Sequence, residues 1–241
     1  MTDFRDAYGQ QLYEAYLLEN EFEVIERRDG FIEICDATHY LSPYRKWQAH
    51  ERKAMHYLQG KVLDIGCGAG RHALYAQHKG HDVLGIDISP LAIKVCKHRG
   101  LKKAKQMSIT QLSRKLGTFD TLLMLGNNFG LVGNPKRAGW LLRRFYGMTS
   151  DQGKIIAETL NPYATINHSH LAYHKENRKQ GKMGGQVRMR IRQGKHIGDW
   201  FDYLFVSKVE MKRLLRDSGW TISRFLDSSG PAYTAILEKR K

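Results

Sequence analysis

The sequence predicts an α/β fold in which helices cover both faces of a mostly parallel β-sheet. Three observations carry this prediction. Short apolar segments alternate with amphipathic segments from residue 61 onward. Segments such as VLDIG and TLLML lack polar alternation, which is typical of strands covered on both faces. A glycine-rich turn joins the first of these strands to the helix that follows it. A chain of 241 residues is long enough for one such domain with additions.

The elements of this sheet follow one another along the chain, so we expect right-handed crossovers between parallel strands. Ser89 is a predicted N-cap with Pro90 in the first helical turn, and Ser207 with Glu210 has the spacing of a capping box. The predicted strands lie at 62–66, 82–87, 104–109, 119–125, 153–159, 221–229 and 232–240, and the helices at 70–79, 89–99, 135–148 and 207–220.

The N-terminal segment precedes this alternation. Residues 8–20 place apolar side chains three to four positions apart, which predicts a short amphipathic helix. Residues 22–35 form a predicted hairpin, with Asp29-Gly30 as a two-residue turn. We therefore interpret residues 1–49 as a cap on the main domain.

A second departure from the alternation begins at residue 161. Residues 161–185 are polar and show no clear period, so we expect them to be irregular. QVRMRIRQ then alternates apolar and arginine side chains, and DWFDYLFV follows after a short turn, which predicts an inserted β-hairpin. This hairpin is expected to join the N-terminal hairpin as an accessory layer. The predicted division is a cap at 1–49, a cofactor-binding domain at 50–160 and 207–241, and a substrate-side lid at 161–206.

Composition limits the function classes. The formal charge of +15 favours polyanions or anionic substrates as partners, but a basic surface without a specific polyanion explains it equally well. No apolar run is long enough for a membrane span, so we expect no membrane partner. The N-terminus lacks a secretory pattern, and the three widely spaced cysteines form neither a metal pattern nor a disulfide framework. These features predict a cytoplasmic protein.

The turn after the first strand reads DIGCGAG, residues 64–70. Its glycines let the backbone turn sharply and a ligand approach closely, and the following helix offers free N–H groups at its N-terminus. Asp87 ends the second strand, where a carboxylate can accept hydrogen bonds from ribose hydroxyls. A dinucleotide loop would have a glycine at position 71, where this chain has Arg71. Asp64 in the strand suits an ammonium or sulfonium ligand and would repel a pyrophosphate.

These residues resemble the first two motifs of the class I S-adenosylmethionine (SAM)-dependent methyltransferases. The resemblance covers about residues 50–160 and 207–238, and it implies a Rossmann-like, seven-stranded sheet. It also implies SAM as cofactor and S-adenosylhomocysteine as product. Serine stands at 108, where the family often has an aspartate that contacts adenine. The expected cofactor-binding residues are Asp64, Gly66, Cys67, Gly68, Gly70, Asp87, Ile88, Ser108, Ile109, Gly126, Asn127 and, for the methionine carboxylate, Arg45.

Chemistry is expected at the carboxyl end of the fourth strand. Asn127 and Asn128 stand there and can bind SAM or the acceptor, although an Asx-type turn explains them equally well. Tyr163, His168 and His170 are further catalytic candidates in the insertion, with a histidine as a general base or simply as a hydrogen-bonded loop residue. No carboxylate or cysteine set accompanies the two histidines, so we expect no metal.

The sequence thus predicts an enzyme that transfers a methyl group from SAM to an O, N or C nucleophile of a small molecule. The basic charge leaves an anionic acceptor open. One alternative is an RNA or nucleotide methyltransferase, for which the basic segments 94–105 and 175–195 are the main argument. The other is a SAM-binding module without turnover. The acceptor, the general base and the oligomeric state do not follow from the sequence.

Overall fold

A computed structural model describes residues 5–18 and 22–240 of the chain. The elements in chain order are α1 Ala7–Leu18, β1 Phe22–Arg27, β2 Ile32–Asp36, α2 Ala49–Ala54, β3 Lys61–Ile65, α3 Arg71–His78, β4 Asp82–Asp87, α4 Pro90–His98, β5 Ala104–Gln106, β6 Phe119–Met124, α5 Pro135–Tyr146, β7 Thr149–Leu160, α6 His168–Lys179, β8 Gln186–Gln193, β9 His196–Ile197, β10 Phe201–Leu204, α7 Lys208–Leu214, β11 Trp220–Asp227 and β12 Ala232–Lys239.

The main sheet has seven strands in the order β11-β12-β7-β6-β3-β4-β5. Strands β3 to β7 pair in parallel, while β12 runs antiparallel to both β7 and β11. The predicted α/β fold is confirmed. The strand order reverses between β3 and β6, and in open α/β sheets ligands bind in the crevice at the carboxyl ends of the strands beside such a reversal.

Apolar side chains cover both faces of this sheet. On one face Phe119, Phe145 and Trp220 are fully buried, and the Trp220 indole N–H donates to the carbonyl of Leu142 at 2.9 Å. A second cluster that includes Trp47 covers the opposite face. Each such side chain contributes roughly 1.5–3 kcal/mol through burial. The packed sheet therefore provides a rigid base for the residues at its carboxyl edge.

A second sheet joins the two segments that lie outside the alternation. Its strand order is β10-β8-β1-β2, with β9 paired to β8, as expected for an N-terminal hairpin that combines with the insertion. Helix α1 packs against α4 and against β8, so it bridges the two sheets. No helix in the described parts of the chain is long and apolar enough to cross a membrane.

Two local predictions were wrong. Residues 168–179 form α6 instead of an irregular stretch; Asn167 caps it, and its Asn177 side chain donates to two backbone carbonyls. Arg27 of β1 also donates to the Ser169 carbonyl at 3.1 Å and lies over the Tyr173 ring, and these contacts together stabilise a helix that has no apolar periodicity. The N-terminal hairpin turns through residues 28–31, with Gly30 at φ 88°, and not through a two-residue Asp29-Gly30 turn.

The arginines of β8 are paired with carboxylates of neighbouring strands. Arg190 and Arg192 both bind Glu26 of β1, and Arg188 binds Asp202 of β10 at 2.9 Å. Cross-strand pairs of this kind support the sheet and leave less free positive charge for a polyanion. The argument for RNA from this segment is correspondingly weaker.

Candidate functional site

The glycine loop after β3 has a backbone that only glycine adopts easily. Gly66, Gly68 and Gly70 have φ values of 73°, 52° and 80°, all in the left-handed region. A Cβ atom at Gly68 would lie 2.7 Å from the hydroxyl of Tyr8, and one at Gly66 would lie 2.8 Å from the Asn128 amide nitrogen. The loop is therefore closely packed, and a side chain at either glycine would collide with its neighbours.

Asp87 is braced against this loop. One carboxylate oxygen accepts from the backbone N–H of Gly68 and the other from that of Ser89, both at 2.9 Å. Burial raises the pKa of Asp87 to about 6, because these two hydrogen bonds only partly offset desolvation. A carboxylate has about four acceptor positions, so lone pairs remain for two hydroxyl groups of a ligand.

Asp64 has an unsatisfied carboxylate oxygen at the end of β3. Its side chain is 2% exposed, and its Oδ2 atom makes no hydrogen bond. Burial raises the pKa of Asp64 to about 7, and the charge of Asp87 adds to the rise. A buried polar atom without a partner is costly, so it indicates a missing donor. A positively charged ligand group beside the glycine loop would supply one.

An open cleft of about 500 Å³ lies beyond Asp87. Ile88 forms one wall and is 70% exposed, which is unusual for an isoleucine. Ser108 caps the turn opposite, and its hydroxyl lies 2.9 Å from that of Thr110. An apolar wall beside a hydroxyl suits the flat, partly polar surface of a purine. The remaining lining residues are Gln106, Met107 and Gln111.

The end of β6 carries the two predicted asparagines in different roles. Asn127 has φ 64°, the one left-handed non-glycine among the described residues, and its Oδ1 atom is buried without a partner. Asn128 instead holds the glycine loop, because its amide donates to the carbonyls of Ile65 at 3.1 Å and Gly66 at 2.7 Å. The Asn127 side chain is therefore available to a ligand, whereas that of Asn128 is occupied.

A buried histidine and glutamate face each other beside Asn127. The Glu158 carboxylate on β7 accepts from the backbone N–H of Gly126 at 2.8 Å and lies 3.3 Å from His50 Nε2. Both side chains are buried, and His50 Nδ1 has no hydrogen-bond partner. If Nε2 carries the proton shared with Glu158, Nδ1 has a free lone pair and can accept a proton.

An ion cluster lies at the N-terminus of α3. Arg71 donates to both carboxylate oxygens of Glu51, at 2.7 and 2.8 Å, and its guanidinium stacks on Trp47. The pKa of Glu51 is lowered to about 2, because its bonds to His72 and the charge of Arg71 outweigh desolvation. Arg45 is exposed, and its contact with the methionine carboxylate stays a prediction. Two other arginines adjoin the glycine loop: Arg71 directly follows it, and Arg99 donates to the Ala69 carbonyl at 2.7 Å.

Tyrosines from three elements lie above the strand ends. Tyr8 of α1 contacts Tyr40 edge to face, with ring centroids 5.7 Å apart, and Tyr40 donates to the Glu23 carboxylate at 3.0 Å. Tyr203 of β10 donates to the Asn127 carbonyl at 2.6 Å. Gln11 lies fully buried beside Glu23. The cap and the insertion thus both reach the carboxyl edge of the main sheet.

The three catalytic candidates in the insertion have other partners. Tyr163 donates to Glu210 at 2.5 Å, His170 lies against Thr165 and the Phe31 ring, and His168 is exposed at the start of α6. Their contacts lie within the accessory layer and α7. No group of three or more His, Cys, Asp or Glu side chains in the described part of the chain is placed to hold a metal ion.

The remaining predicted cofactor residues divide between packing and the site. Cys67 is buried close to Gly85, and Ile109 packs against the main core, so their side chains serve the fold.

Sequence reasoning missed the polar side chains at the site that come from distant segments. Glu158 offered a signal, since it interrupts the apolar strand KIIAETL. The missed residues are Tyr8, Gln11, Glu23, Tyr40, His50, Glu51, Glu158 and Tyr203.

Comparison with known proteins agrees with this geometry. A family model described as "Methyltransferase domain" matches residues 62–153. A crystal structure of a SAM-dependent methyltransferase from Bacteroides fragilis, in complex with S-adenosyl-L-homocysteine, has a TM-score of 0.84. The alignment covers 100% of this chain and 98% of that chain at 23% identity. Residues 62–153 match a methyltransferase domain, and the fold of the chain is that of a SAM-dependent methyltransferase.

Two curated relatives are similar to about half of the chain. Glycine/sarcosine N-methyltransferase of Halorhodospira halochloris is 26% identical over 120 residues, 47% of this chain and 45% of that protein. Ubiquinone biosynthesis O-methyltransferase of Azorhizobium caulinodans is 29% identical over 119 residues, 46% of this chain and 45% of that protein. The chain therefore spans less than half the length of either relative.

Proposed function

We propose that this protein uses SAM to methylate an O, N or C nucleophile of a small molecule. The observation that carries the proposal is the pair of buried carboxylates at the glycine loop. Asp87 is braced by two backbone N–H groups, and Asp64 has an oxygen without a partner. A ligand with ribose hydroxyls and a cationic centre satisfies both, whereas a pyrophosphate would be repelled. The curated relatives, which methylate nitrogen and oxygen, are consistent with this choice.

In this proposal the main sheet holds the cofactor, and residues 1–49 and 161–206 form the acceptor side. Asp64 and Asn127 face the methionine part, Asp87 binds the ribose, and Ile88 with Ser108 contacts the purine. When bound, SAM supplies an electrophilic methyl group. The further backbone and packing contacts come from Gly66, Cys67, Gly68, Gly70, Ile109 and Gly126.

His50 and Glu158 form the proton-accepting pair of this proposal. Glu158 holds the imidazole by Nε2, and Gly126 in turn fixes Glu158. The free Nδ1 atom can take the proton that an acceptor group releases on methylation. Because both side chains are buried, Glu158 and the Gly126 N–H keep the imidazole in one orientation.

Thermal stabilisation by ligand tests the cofactor assignment. S-adenosylhomocysteine should raise the melting temperature, because a ligand that binds only the folded state stabilises it. The Asp87→Ala variant should lose this rise. Asp82→Ala is the matched control, since Asp82 lies exposed on the same strand and pairs with Lys103. No rise in the wild-type protein, or the same rise in both variants, would contradict the proposal.

Methyl transfer separates an enzyme from a binding module. With isotope-labelled SAM and a panel of metabolites, the wild-type protein should label at least one acceptor. The His50→Gln variant should bind S-adenosylhomocysteine normally and transfer the methyl group at least about 100-fold more slowly, which is typical for loss of a general base. Binding without labelling of any acceptor would favour the non-catalytic alternative.

A further inference from the structure

The buried charges of the protein are opposite in sign to its surface. The whole chain carries a formal charge of +15. In the described part of the chain, however, the buried arginine and lysine side chains amount to Arg27 alone, and Arg27 pairs with Asp29. Five carboxylates are buried in the same part of the chain: Glu23, Glu51, Asp64, Asp87 and Glu158.

Glu23 is the carboxylate that neither the cofactor nor the fold explains. It is 4% exposed, and no arginine or lysine among the described residues pairs with it. Its one hydrogen bond of ordinary length comes from Tyr40. Burial raises the pKa of Glu23 to about 7. A strand residue at this position needs no charge for packing, so the carboxylate indicates a partner that the chain does not supply.

Gln11, which lies beside Glu23, gives a second indication. Its side chain is 0% exposed, and neither its amide nitrogen nor its amide oxygen makes a hydrogen bond of ordinary length. Gln11 lies close enough to Glu23 to lower the pKa of that carboxyl slightly. A fully buried amide whose polar neighbour is a carboxylate beyond ordinary hydrogen-bond length is rare in a folded protein. Beside an unpaired carboxylate, it marks a polar binding position.

Aromatic rings surround the same position. Tyr8 and Tyr40 meet edge to face, and Tyr203 lies across the strand ends on Asn127. Tyr40 contacts Glu23 directly, and the charge of Glu23 adds to the rise that burial causes in the pKa of all three tyrosines. Aromatic faces with a nearby carboxylate are the arrangement that binds ammonium groups. An anionic acceptor would be repelled by Glu23 and Glu158 alike.

We propose that the methyl acceptor is a small amine, whose ammonium form binds between Glu23 and the rings of Tyr8, Tyr40 and Tyr203. This inference rests on the proposed function and narrows its acceptor from O, N or C to nitrogen. It also argues against an anionic acceptor, which the positive charge of the chain allows.

The chemistry balances with groups that are present. The ammonium loses one proton to a neighbouring base, either the Glu23 carboxylate or His50, and becomes a neutral amine. The nitrogen lone pair then forms the N–C bond while the S–C bond of the donor breaks, and that electron pair stays on sulfur. The methylated ammonium and S-adenosylhomocysteine are the products, and no oxidant or further reactant is needed.

A matched set of three probes tests the acceptor class. Tyramine, tyrosol and 4-hydroxyphenylacetate share a phenol ring and a short side chain, but they end in an amine, a hydroxyl and a carboxylate. Each is titrated at constant ionic strength into protein saturated with S-adenosylhomocysteine, and affinity is measured by thermal shift or calorimetry. Tyramine should bind at least about tenfold more tightly than either analogue, since only it pairs with a desolvated carboxylate.

Two variants test whether Glu23 is responsible for the binding of tyramine. Glu23→Gln should reduce tyramine affinity by about tenfold or more and leave S-adenosylhomocysteine affinity within about twofold. Glu33→Gln is the control, because Glu33 is exposed on the neighbouring strand β2 and should keep wild-type affinity for tyramine. Equal or stronger binding of tyrosol or 4-hydroxyphenylacetate, no binding of tyramine, or equal losses in both variants would overturn the proposal. Failure of S-adenosylhomocysteine to bind would instead refute the proposed function.

Discussion

Replacement of Asp64 by asparagine removes a buried carboxyl group whose charged form the fold disfavours. The pKa of Asp64 rises from an ordinary 3.8 to about 7 in the folded protein, mainly through burial. Each unit of difference corresponds to about 1.4 kcal/mol, so ionised Asp64 costs the ligand-free fold about 4 kcal/mol. An asparagine of the same shape carries no such cost at any pH.

The direction of the pH dependence follows from how many protons the folded and unfolded states bind. Between about pH 4 and pH 7 the folded protein retains a proton on Asp64 that the unfolded chain has released. Protonation of Asp64 therefore stabilises the fold fully below about pH 4. This contribution to the free energy of unfolding falls as the pH rises from about 4 and is gone above about pH 7. Between about pH 5 and pH 8 the free energy of unfolding should fall by about 3 kcal/mol more in the wild-type protein than in Asp64→Asn.

Urea denaturation at the two pH values, followed by tryptophan fluorescence, measures this difference. Asp82→Asn is the control, because Lys103 lowers the pKa of the exposed Asp82. A lowered pKa gives a small effect of opposite sign, so this variant should not flatten the pH profile. An Asp64→Asn protein with the same pH dependence as wild type would refute the reasoning from burial.

Three further substitutions test the loop, the core and the strand end. Gly68→Ala should abolish stabilisation by S-adenosylhomocysteine, because it strains a φ of 52° and places a methyl group 2.7 Å from the Tyr8 hydroxyl. Thermal shift measures this, and a normal shift would contradict it. Trp220→Ala should lower the free energy of unfolding by about 3–5 kcal/mol in urea titrations, and a loss below about 1 kcal/mol would be inconsistent with full burial. Tyr203→Phe should reduce kcat more than S-adenosylhomocysteine affinity, since it frees the Asn127 carbonyl; equal losses would argue against this.

The parts of the fold that follow from local chemistry were predictable. Ser89 with Pro90 begins α4, and Ser207 with Glu210 forms the capping box of α7, as their spacing indicates. The apolar strands and the glycines with positive φ can likewise be predicted from residues that lie close together in the sequence. Helix α6 was missed because its stability depends on contacts with distant residues such as Arg27 rather than on an apolar stripe.

The candidate site likewise has residues that the sequence predicts and residues that it does not. Asp64, the glycines and Asp87 lie within one continuous motif, so the sequence predicts their proximity. His50 and Glu158 are 108 positions apart, and Glu23 reaches the site only because β1 pairs with β8. A contact of that kind depends on how strands from separate segments pair, which no local pattern states. The proposed acceptor position depends mainly on such contacts.

The two ends of the proposed cofactor site differ in their exposure to solvent. Helix α1 covers the glycine loop through Tyr8, and Asp6 ties that helix to Ser89 and to the backbone of Leu91. The cleft beside Ile88 and its opposite turn is open to solvent. Cofactor analogues with a linker on the purine should therefore still bind, whereas analogues enlarged at sulfur should not. S-adenosylhomocysteine immobilised through its adenine would then serve as an affinity resin for the folded protein.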